Sequence, residues 1–254
     1  MRGMGDMLRH SLCRWCYEKI PLDALCQQAK AIGYEGIDLV GAADFATLKK
    51  HNLIGTMTPT HTIEKGLGHQ QNHAECLAAI RIAIDATAEA GFPNVICFSG
   101  NRNGIDPHEG LRNCASAIKQ VIGNAEKQGI TLHMELLNSK IDHPDYLCDH
   151  TAWGVELVKM VGSPRFKLLY DIYHMQIMEG DIIATIRANV QYIGHFHTGG
   201  VPGRHEIDGT QELNYPAIVG AIRGMGFEGW LAQEFLPVRE PFASLAEAMG
   251  ICRG

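Results

Sequence analysis

Residues 167–181, "KLLYDIYHMQIMEGD", lead from a buried strand directly into two ionisable residues. The apolar run ends at Tyr170, Asp171 follows at once, and His174 comes three residues later. A carboxylate at the edge of a core needs a partner there, because leaving it buried and unpaired costs several kilocalories per mole. The position of Asp171 therefore raises the question of whether other strands end in the same way.

Short apolar runs alternate with longer helical stretches along the whole chain. Residues 73–91, "HAECLAAIRIAIDATAEAG", are one such stretch, with apolar residues at helical spacing. The runs seldom alternate between apolar and polar residues, which is typical of a parallel sheet covered on both faces. The predicted strands are Leu8–Cys13, Gly36–Val40, Ile54–Met57, Asn94–Phe98, Thr131–Met134, Phe166–Tyr170, Tyr192–Phe196 and Gly229–Ala232.

Eight strand–helix units predict a (β/α)8 TIM barrel. The chain of 254 residues gives about 32 residues to each unit, as is usual for this fold. No low-complexity linker interrupts the series, so we expect residues 1–254 to form a single domain. A doubly wound open sheet is the competing fold. It usually has a glycine-rich first turn, and the segment after the first strand, "RWCYEKIP", has no glycine.

The composition is that of an ordinary globular protein, with 46% hydrophobic and 20% charged residues. A formal charge of −6 offers no electrostatic footprint for nucleic acid. No apolar run reaches the roughly 18 residues that a membrane span needs, and the N-terminus lacks a signal-peptide pattern, so we expect a cytoplasmic protein. Eight cysteines scattered through predicted strands and helices favour reduced thiols over disulfides.

Four consecutive predicted strands, the fifth to the eighth, end in a side chain that can bind a metal ion. These side chains are Glu135, Asp171, His197 and Glu234. The carboxyl ends of barrel strands meet at one mouth, and a shared cation would offset the repulsion among three carboxylates. The mostly oxygen ligand set favours Mg²⁺ or Mn²⁺, with Co²⁺ or Zn²⁺ as alternatives. The competing interpretation is that each group is a separate polar residue or helix cap.

Other polar residues near the predicted strand ends are candidates for binding a substrate. Arg102, in "FSGNR" after the fourth strand, could hold a carboxylate or phosphate, or could simply be solvated. His61 lies on a long loop after the third strand that could cover the mouth. Trp15, just past the first strand, could supply an apolar wall or could belong to the core.

Two further candidates lie near the sixth and seventh strands. His174 is within reach of a substrate oxygen if Asp171 holds a metal ion, and Arg204 could reach in from the loop "TGGVPGRHEID". Asn138 and Lys140 follow Glu135 in "ELLNSK", and we expect them to support the site from behind the ligands.

Three carboxylates around one ion suggest that some of them also transfer protons. Glu135 and Glu234 come from the fifth and eighth strands, so they could lie on opposite sides of a substrate. A bound cation acidifies the C–H of an α-hydroxy carbonyl compound. One glutamate could then remove that proton and the other return it to the neighbouring carbon through an enediolate. This chemistry is an aldose–ketose isomerisation, or an epimerisation if the same carbon is reprotonated. A hydride shift fits the same residues.

Several motifs together resemble a known family. They include "MELLNSKIDHPDYLCDHTAWGVELV", "GSPRFKLLYDIYHMQIMEGDI", "YIGHFHTGGVPGRHEIDGTQELNY" and the C-terminal "QEF". In these motifs the chain resembles the hydroxypyruvate isomerase family of the xylose-isomerase-like barrel superfamily, which also contains ketose 3-epimerases. Some hydroxypyruvate isomerases carry glutamine where this chain has His197, whereas the epimerase branch carries histidine.

The resemblance implies a xylose-isomerase-like barrel with one divalent metal ion. Its implied ligands are Glu135, Asp171, His197 and Glu234. The resemblance also implies that the two glutamates carry out acid–base catalysis. It implies that His174 and Arg204 contact the substrate. Barrels of this kind are commonly homodimers or homotetramers.

The expected function is a metal-assisted isomerase that interconverts hydroxypyruvate and 2-hydroxy-3-oxopropanoate (tartronate semialdehyde). The near alternative is an epimerase or isomerase of a larger keto-sugar or an inosose. A metal-dependent DNA-repair endonuclease would need more histidine ligands and a basic surface. A non-catalytic sugar-binding barrel is the third alternative.

Overall fold

A computed structural model describes residues 8–60 and 62–253 of the chain. These residues form one sheet of parallel strands with helices between them. The strands are β1 (Arg9–Cys13), β2 (Gly36–Asp38), β3 (Ile54–Gly55), β4 (Asn94–Cys97), β5 (Thr131–Leu136), β6 (Phe166–Asp171), β7 (Ile193–Thr198) and β8 (Trp230–Gln233).

The sheet has the order β3-β2-β1-β8-β7-β6-β5-β4 and curls into a barrel. The pairing of β1 with β8 joins the two ends of the chain. A parallel bridge between Thr58 and Val95 connects the segment after β3 to β4 and closes the ring. The prediction of a (β/α)8 barrel is therefore confirmed.

The helices pack around the outside of the strands, as expected for strands buried on both faces. None of the helices among the described residues has the length and apolar character that crossing a bilayer requires. The helices are α1 (Leu22–Ile32), α2 (Phe45–Lys50), α3 (His73–Ala90), α4 (Pro107–Lys119), α5 (Ile122–Gln128), α6 (Thr151–Val161), α7 (Ile172–Met178), α8 (Ile182–Asn189), α9 (Tyr215–Gly224) and α10 (Pro241–Arg253).

The strands lie where the sequence predicts them, with differences at their ends. The fifth and seventh strands continue two residues beyond their predicted C-terminal ends, to Leu136 and Thr198. The second strand is shorter and ends at Asp38, because Leu39 has a left-handed backbone with φ of 55° and leaves the sheet. Asp38 therefore lies at the end of its strand, as Asp171 does at the end of β6.

The loop after β3 pairs with the segment that follows β4. The backbone N–H of Leu67 donates to the carbonyl of Phe98 at 3.0 Å, and that of Gly68 donates to Ser99 at 2.7 Å. Glycine is needed here for close approach, since a Cβ on Gly66 would lie 2.5 Å from the carbonyl oxygen of Phe98. This contact fixes the loop beside the barrel mouth.

Replacing Gly66 by alanine should therefore destabilise the protein by about 1–3 kcal/mol through overpacking against backbone atoms. Urea unfolding measures this change. Gly123→Ala in α5 is the matched control, because nothing lies within 4 Å of a Cβ placed there. We expect the control to be neutral or to stabilise the protein by up to about 1 kcal/mol, as alanine favours helix. Equal losses for the two variants would contradict the close-approach argument.

Candidate functional site

Four ligand-capable side chains meet at the C-terminal ends of β5 to β8. Each side chain offers one ligand atom, these four atoms lie within 4.8 Å of one another, and all four residues are buried. The register of the sheet pairs Asp171 with His197 on neighbouring strands. The backbone N–H of Glu234, just past β8, donates to the carbonyl of Thr198 at 3.1 Å. The four residues are Glu135, Asp171, His197 and Glu234. Their predicted convergence is thus observed.

Asp171 uses its two carboxylate oxygens for different purposes. Oδ1 accepts a hydrogen bond from the backbone N–H of His174 at 3.1 Å and caps helix α7. Oδ2 lies 3.2 Å from Nη2 of Arg204. The helix-cap interpretation and the cluster interpretation therefore both hold for this residue.

Arg204 places a positive charge beside two carboxylates of the cluster. Its Nη2 contacts Oδ2 of Asp171 and Oε2 of Glu234. Its guanidinium carbon lies 5.2 Å from the ring centre of Trp15 and 5.0 Å from that of Tyr173. The residue has φ of 58°, an uncommon conformation for a long side chain. Such backbone strain is typical of functional sites, where surrounding contacts hold it in place.

The two glutamates of the cluster differ in their electrostatic surroundings. Burial raises the pKa of Glu135 above its ordinary value. Burial also acts to raise the pKa of Glu234, but the Arg204 guanidinium, His197 and the hydrogen bonds to this carboxylate together hold that pKa well below its usual range. Glu135 thus holds a proton more readily than Glu234. Pairs of carboxyl groups with separated pKa values are the arrangement that acid–base catalysis uses.

The arrangement of the His197 imidazole and the carboxylates around it would suit a cation bound between them. Nδ1 lies 2.8 Å from Oε2 of Glu234 and 3.3 Å from Oε1 of Glu135. Neither contact has hydrogen-bond geometry, so among the described residues this buried nitrogen has no hydrogen-bond partner. Nitrogen and carboxylate lone pairs that face one another repel unless a positive charge, either a ring proton or a metal ion, lies between them. Three carboxylates and one imidazole suit Mg²⁺ or Mn²⁺, with Co²⁺ or Zn²⁺ as alternatives.

His174 is buried, and its tautomer follows from its neighbours. Burial lowers its pKa well below the ordinary value, so the ring is neutral. The backbone N–H of Asn138 donates to Nδ1 at 3.2 Å, which leaves the ring proton on Nε2. Nε2 lies 3.0 Å from Nη1 of Arg204, which is also a donor. An acceptor oxygen next to these two groups would satisfy both.

A cavity of about 290 Å³ opens beside the cluster. Both glutamates line it, together with the two donors His174 and Arg204, and apolar side chains make up most of the remaining lining. Its lining consists of Trp15, Leu39, Ile63, Phe98, Glu135, Leu137, His143, His174, Arg204 and Glu234. A small polar molecule in this cavity would contact donors and carboxylates at once.

The remaining predicted binding residues have different positions. Trp15, in a 3-10 helix over Arg14–Tyr17, lines the cavity, and its Nε1–H donates to Oε1 of Glu234 at 2.6 Å. Arg102 is not part of the cavity lining among the described residues. It pairs instead with Asp149, whose Oδ2 lies 2.5 Å from Nη2. His61 lies outside the described residues.

Asn138 and Lys140, the two residues expected to support the site, have different contacts. Asn138 holds His174, as described above. Lys140 donates from Nζ to the carbonyl oxygens of Ile177 (2.9 Å) and Met178 (3.0 Å), so it binds the C-terminal end of α7 instead of the cluster. Cations are favoured at that end of a helix.

Three residues near the site were not among the predicted ones. Asp38 and His195 lie fully buried beneath His197, and His143 lines the cavity with its ring 5.4 Å from that of His174. Asp38 carries the signal that identified Asp171, an acid at a strand end. It was missed because the predicted strand continued to Val40. The position of His143 depends on a loop conformation that no sequence pattern fixes.

Comparisons with known proteins agree with the fold. Residues 26–252 match the family model described as xylose isomerase-like TIM barrel. A solved structure described as an AP endonuclease of family 2 from Brucella melitensis superposes with a TM-score of 0.84. It covers 96% of this chain and 98% of that one. At 23% identity this likeness shows the shared fold only.

Two curated relatives carry isomerase names. The chain is 37% identical over 113 residues to the 2-oxo-tetronate isomerase of Cupriavidus necator, a stretch covering 44% of this chain and 43% of that protein. The match therefore spans less than half the length of that relative. The chain is also 25% identical over 227 residues to the hydroxypyruvate isomerase of Escherichia coli, and this match covers 83% of the chain and 86% of the relative. The resemblance to hydroxypyruvate isomerases is thus confirmed, and the chain belongs to the family of xylose isomerase-like TIM barrels.

Proposed function

We propose that this protein is a metal-assisted isomerase of short sugar acids, interconverting hydroxypyruvate and 2-hydroxy-3-oxopropanoate by proton transfer. The observation that carries the proposal is the position of Glu135 and Glu234. Both belong to the four-residue cluster and both line the cavity that also presents His174 and Arg204. Similarity to the two named isomerases supports it further.

Four side chains would hold the metal ion, namely Glu135, Asp171, His197 and Glu234. When bound, a divalent cation polarises a carbonyl oxygen and acidifies the neighbouring C–H bond. The protein contributes the other parts of the reaction through positioned donors and bases.

The two glutamates divide the proton transfer between them. Glu234, whose pKa Arg204 holds low, is ionised and removes the proton from the hydroxyl-bearing carbon. The hydrogen bond from Trp15 fixes one of its oxygens and so orients the other. Glu135, whose pKa burial raises, returns a proton to the neighbouring carbon of the enediolate. One glutamate thus deprotonates the first carbon of an α-hydroxy carbonyl compound, and the other protonates the second.

His174 and Arg204 bind the substrate oxygens. The Nε2–H of His174 and Nη1 of Arg204 lie 3.0 Å apart, so a substrate oxygen placed beside them accepts from both. The isomerisation also moves a hydroxyl proton from one oxygen to the other. A neutral imidazole donor beside the receiving oxygen stabilises the charge that develops there.

A 2-oxo-tetronate is the second candidate substrate. The observation that favours it is the 37% identity to the Cupriavidus necator enzyme over 113 residues, which is higher than the identity to the Escherichia coli hydroxypyruvate isomerase. Such a compound retains the carboxylate and the adjacent carbonyl and adds one carbon. The same bases and donors therefore serve both substrates.

A solvent-exchange experiment tests the proposed function. The protein is incubated in D₂O with hydroxypyruvate, either with Mg²⁺ or after treatment with EDTA, and proton NMR follows the reacting carbons. We expect deuterium uptake and aldehyde formation only with the metal ion, since the cation acidifies the C–H bond.

The same assay with a 2-oxo-tetronate and with D-fructose distinguishes a sugar-acid isomerase from an enzyme acting on larger keto-sugars. Absence of exchange from both acids, with exchange from the ketose, would contradict the proposal. Binding without exchange of any compound would indicate a non-catalytic barrel.

A further inference from the structure

Asp38 is a buried carboxylate from β2 that contacts the cluster from below. It is fully buried, and its Oδ1 lies 3.1 Å from Nε2 of His197 on β7. Strands β1 and β8 separate β2 from β7 in the sheet, so this contact crosses the interior of the barrel. None of the sequence motifs of the site includes Asp38.

The other carboxylate oxygen of Asp38 is held in place independently. Oδ2 accepts a hydrogen bond from Oγ1 of Thr56 at 2.7 Å and lies 2.8 Å from Nε2 of His195. With one oxygen held by the residue just after β3 and by β7, the second has little freedom and stays aimed at His197. A carboxylate that is held this way orients the group it contacts.

The contact determines which nitrogen of His197 faces the carboxylates. An ionised carboxylate only accepts hydrogen bonds. Nε2 of His197 therefore carries a proton and donates it in a hydrogen bond to Oδ1 of Asp38. With Nε2 holding its proton, the nitrogen left to bind a metal ion is Nδ1, which faces Glu135 and Glu234 and lies 2.8 Å from the nearest carboxylate oxygen. Only a nitrogen without a proton can bind a metal ion.

We infer that Asp38 is a positioning residue for His197, selecting the tautomer and ring orientation in which Nδ1 is a metal ligand. The inference rests on the metal site of the proposed function. Asp38 touches neither the cavity nor the cluster atoms other than His197. Its contact with the proposed metal ligands therefore runs through that histidine alone.

The test measures binding of Mn²⁺ alone to the full chain, from the EPR signal of free Mn²⁺, so it needs no turnover. We expect Asp38→Asn and Asp38→Ala to raise the Kd by about 10–100-fold, the usual range for a residue behind a metal ligand. The alanine variant should have the larger effect, because it offers no acceptor at all. Glu206→Gln is the control, since Glu206 is also buried but bonds to Ser244 and the backbone at Val238 and Arg239.

A double-mutant cycle separates positioning from general destabilisation. In a His197→Gln background, Asp38→Asn should raise the Kd for Mn²⁺ much less than in the wild-type protein, because the histidine that it positions is gone. The isosteric asparagine keeps the test valid if the alanine variant does not fold, and circular dichroism monitors folding. An unchanged Kd for Asp38→Asn alone, or an equal loss in both backgrounds, would overturn the inference. If the wild-type protein binds no Mn²⁺, the proposed metal site itself fails and the inference is overturned with it.

Discussion

Replacing either glutamate of the cluster by glutamine should reduce turnover of hydroxypyruvate by about 10²–10⁴-fold, the usual contribution of a general acid or base. Glutamine keeps the shape and can still offer an oxygen to a metal ion, but it cannot take or give a proton. Glu234→Gln should stop deuterium exchange altogether, since this residue removes the proton. Glu135→Gln should permit the first step and slow formation of the aldehyde, because Glu135 returns the proton.

The separation of the two effects is what identifies the roles. NMR of the reacting carbons in D₂O measures exchange and product formation in the same sample. Glu206→Gln, a buried carboxylate outside the cavity, is the control and should retain wild-type rates. Equal loss of exchange in both cluster variants would show that one glutamate serves both carbons. Retained turnover in either variant would contradict a catalytic role for that residue.

The barrel and its cluster were predictable because each depends on a repeated local pattern. A parallel barrel strand is a short apolar run, and its C-terminal end always faces the mouth. Asp171 and Glu234 follow directly after such runs, so their meeting point could be deduced without knowing any contact. The register between β6 and β7, which places Asp171 beside His197, confirms that logic at the level of individual residues.

Contacts between loops could not be predicted in the same way. Arg102 pairs with Asp149 because the loops after β4 and β5 lie side by side, and the two residues are 47 positions apart. Neither loop has a periodic pattern that fixes its course. The role of Asp38 was hidden for a related reason, since the left-handed backbone at Leu39 that ends its strand has no signal in an apolar residue.

Arg204→Met should lower the free energy of unfolding of EDTA-treated protein by about 3–5 kcal/mol, the cost of removing one partner from a buried ion pair. The side chain of Arg204 is 12% exposed, and those of its partners Asp171 and Glu234 are 0% and 4% exposed. Without the guanidinium, the ionised carboxylate of Glu234 loses its arginine partner in a medium that screens poorly. Urea unfolding monitored by circular dichroism measures the loss.

A metal ion should compensate for the missing guanidinium. Adding Mn²⁺ should stabilise Arg204→Met more than the wild-type protein, because the cation then has no positively charged neighbour and neutralises otherwise unpaired carboxylates. Arg239→Met is the matched control. It also removes an arginine that contacts three acidic side chains, but Arg239 is 48% exposed, so its loss should be much smaller and insensitive to Mn²⁺. Equal losses for the two variants would show that the buried cluster does not depend on Arg204 for its charge balance.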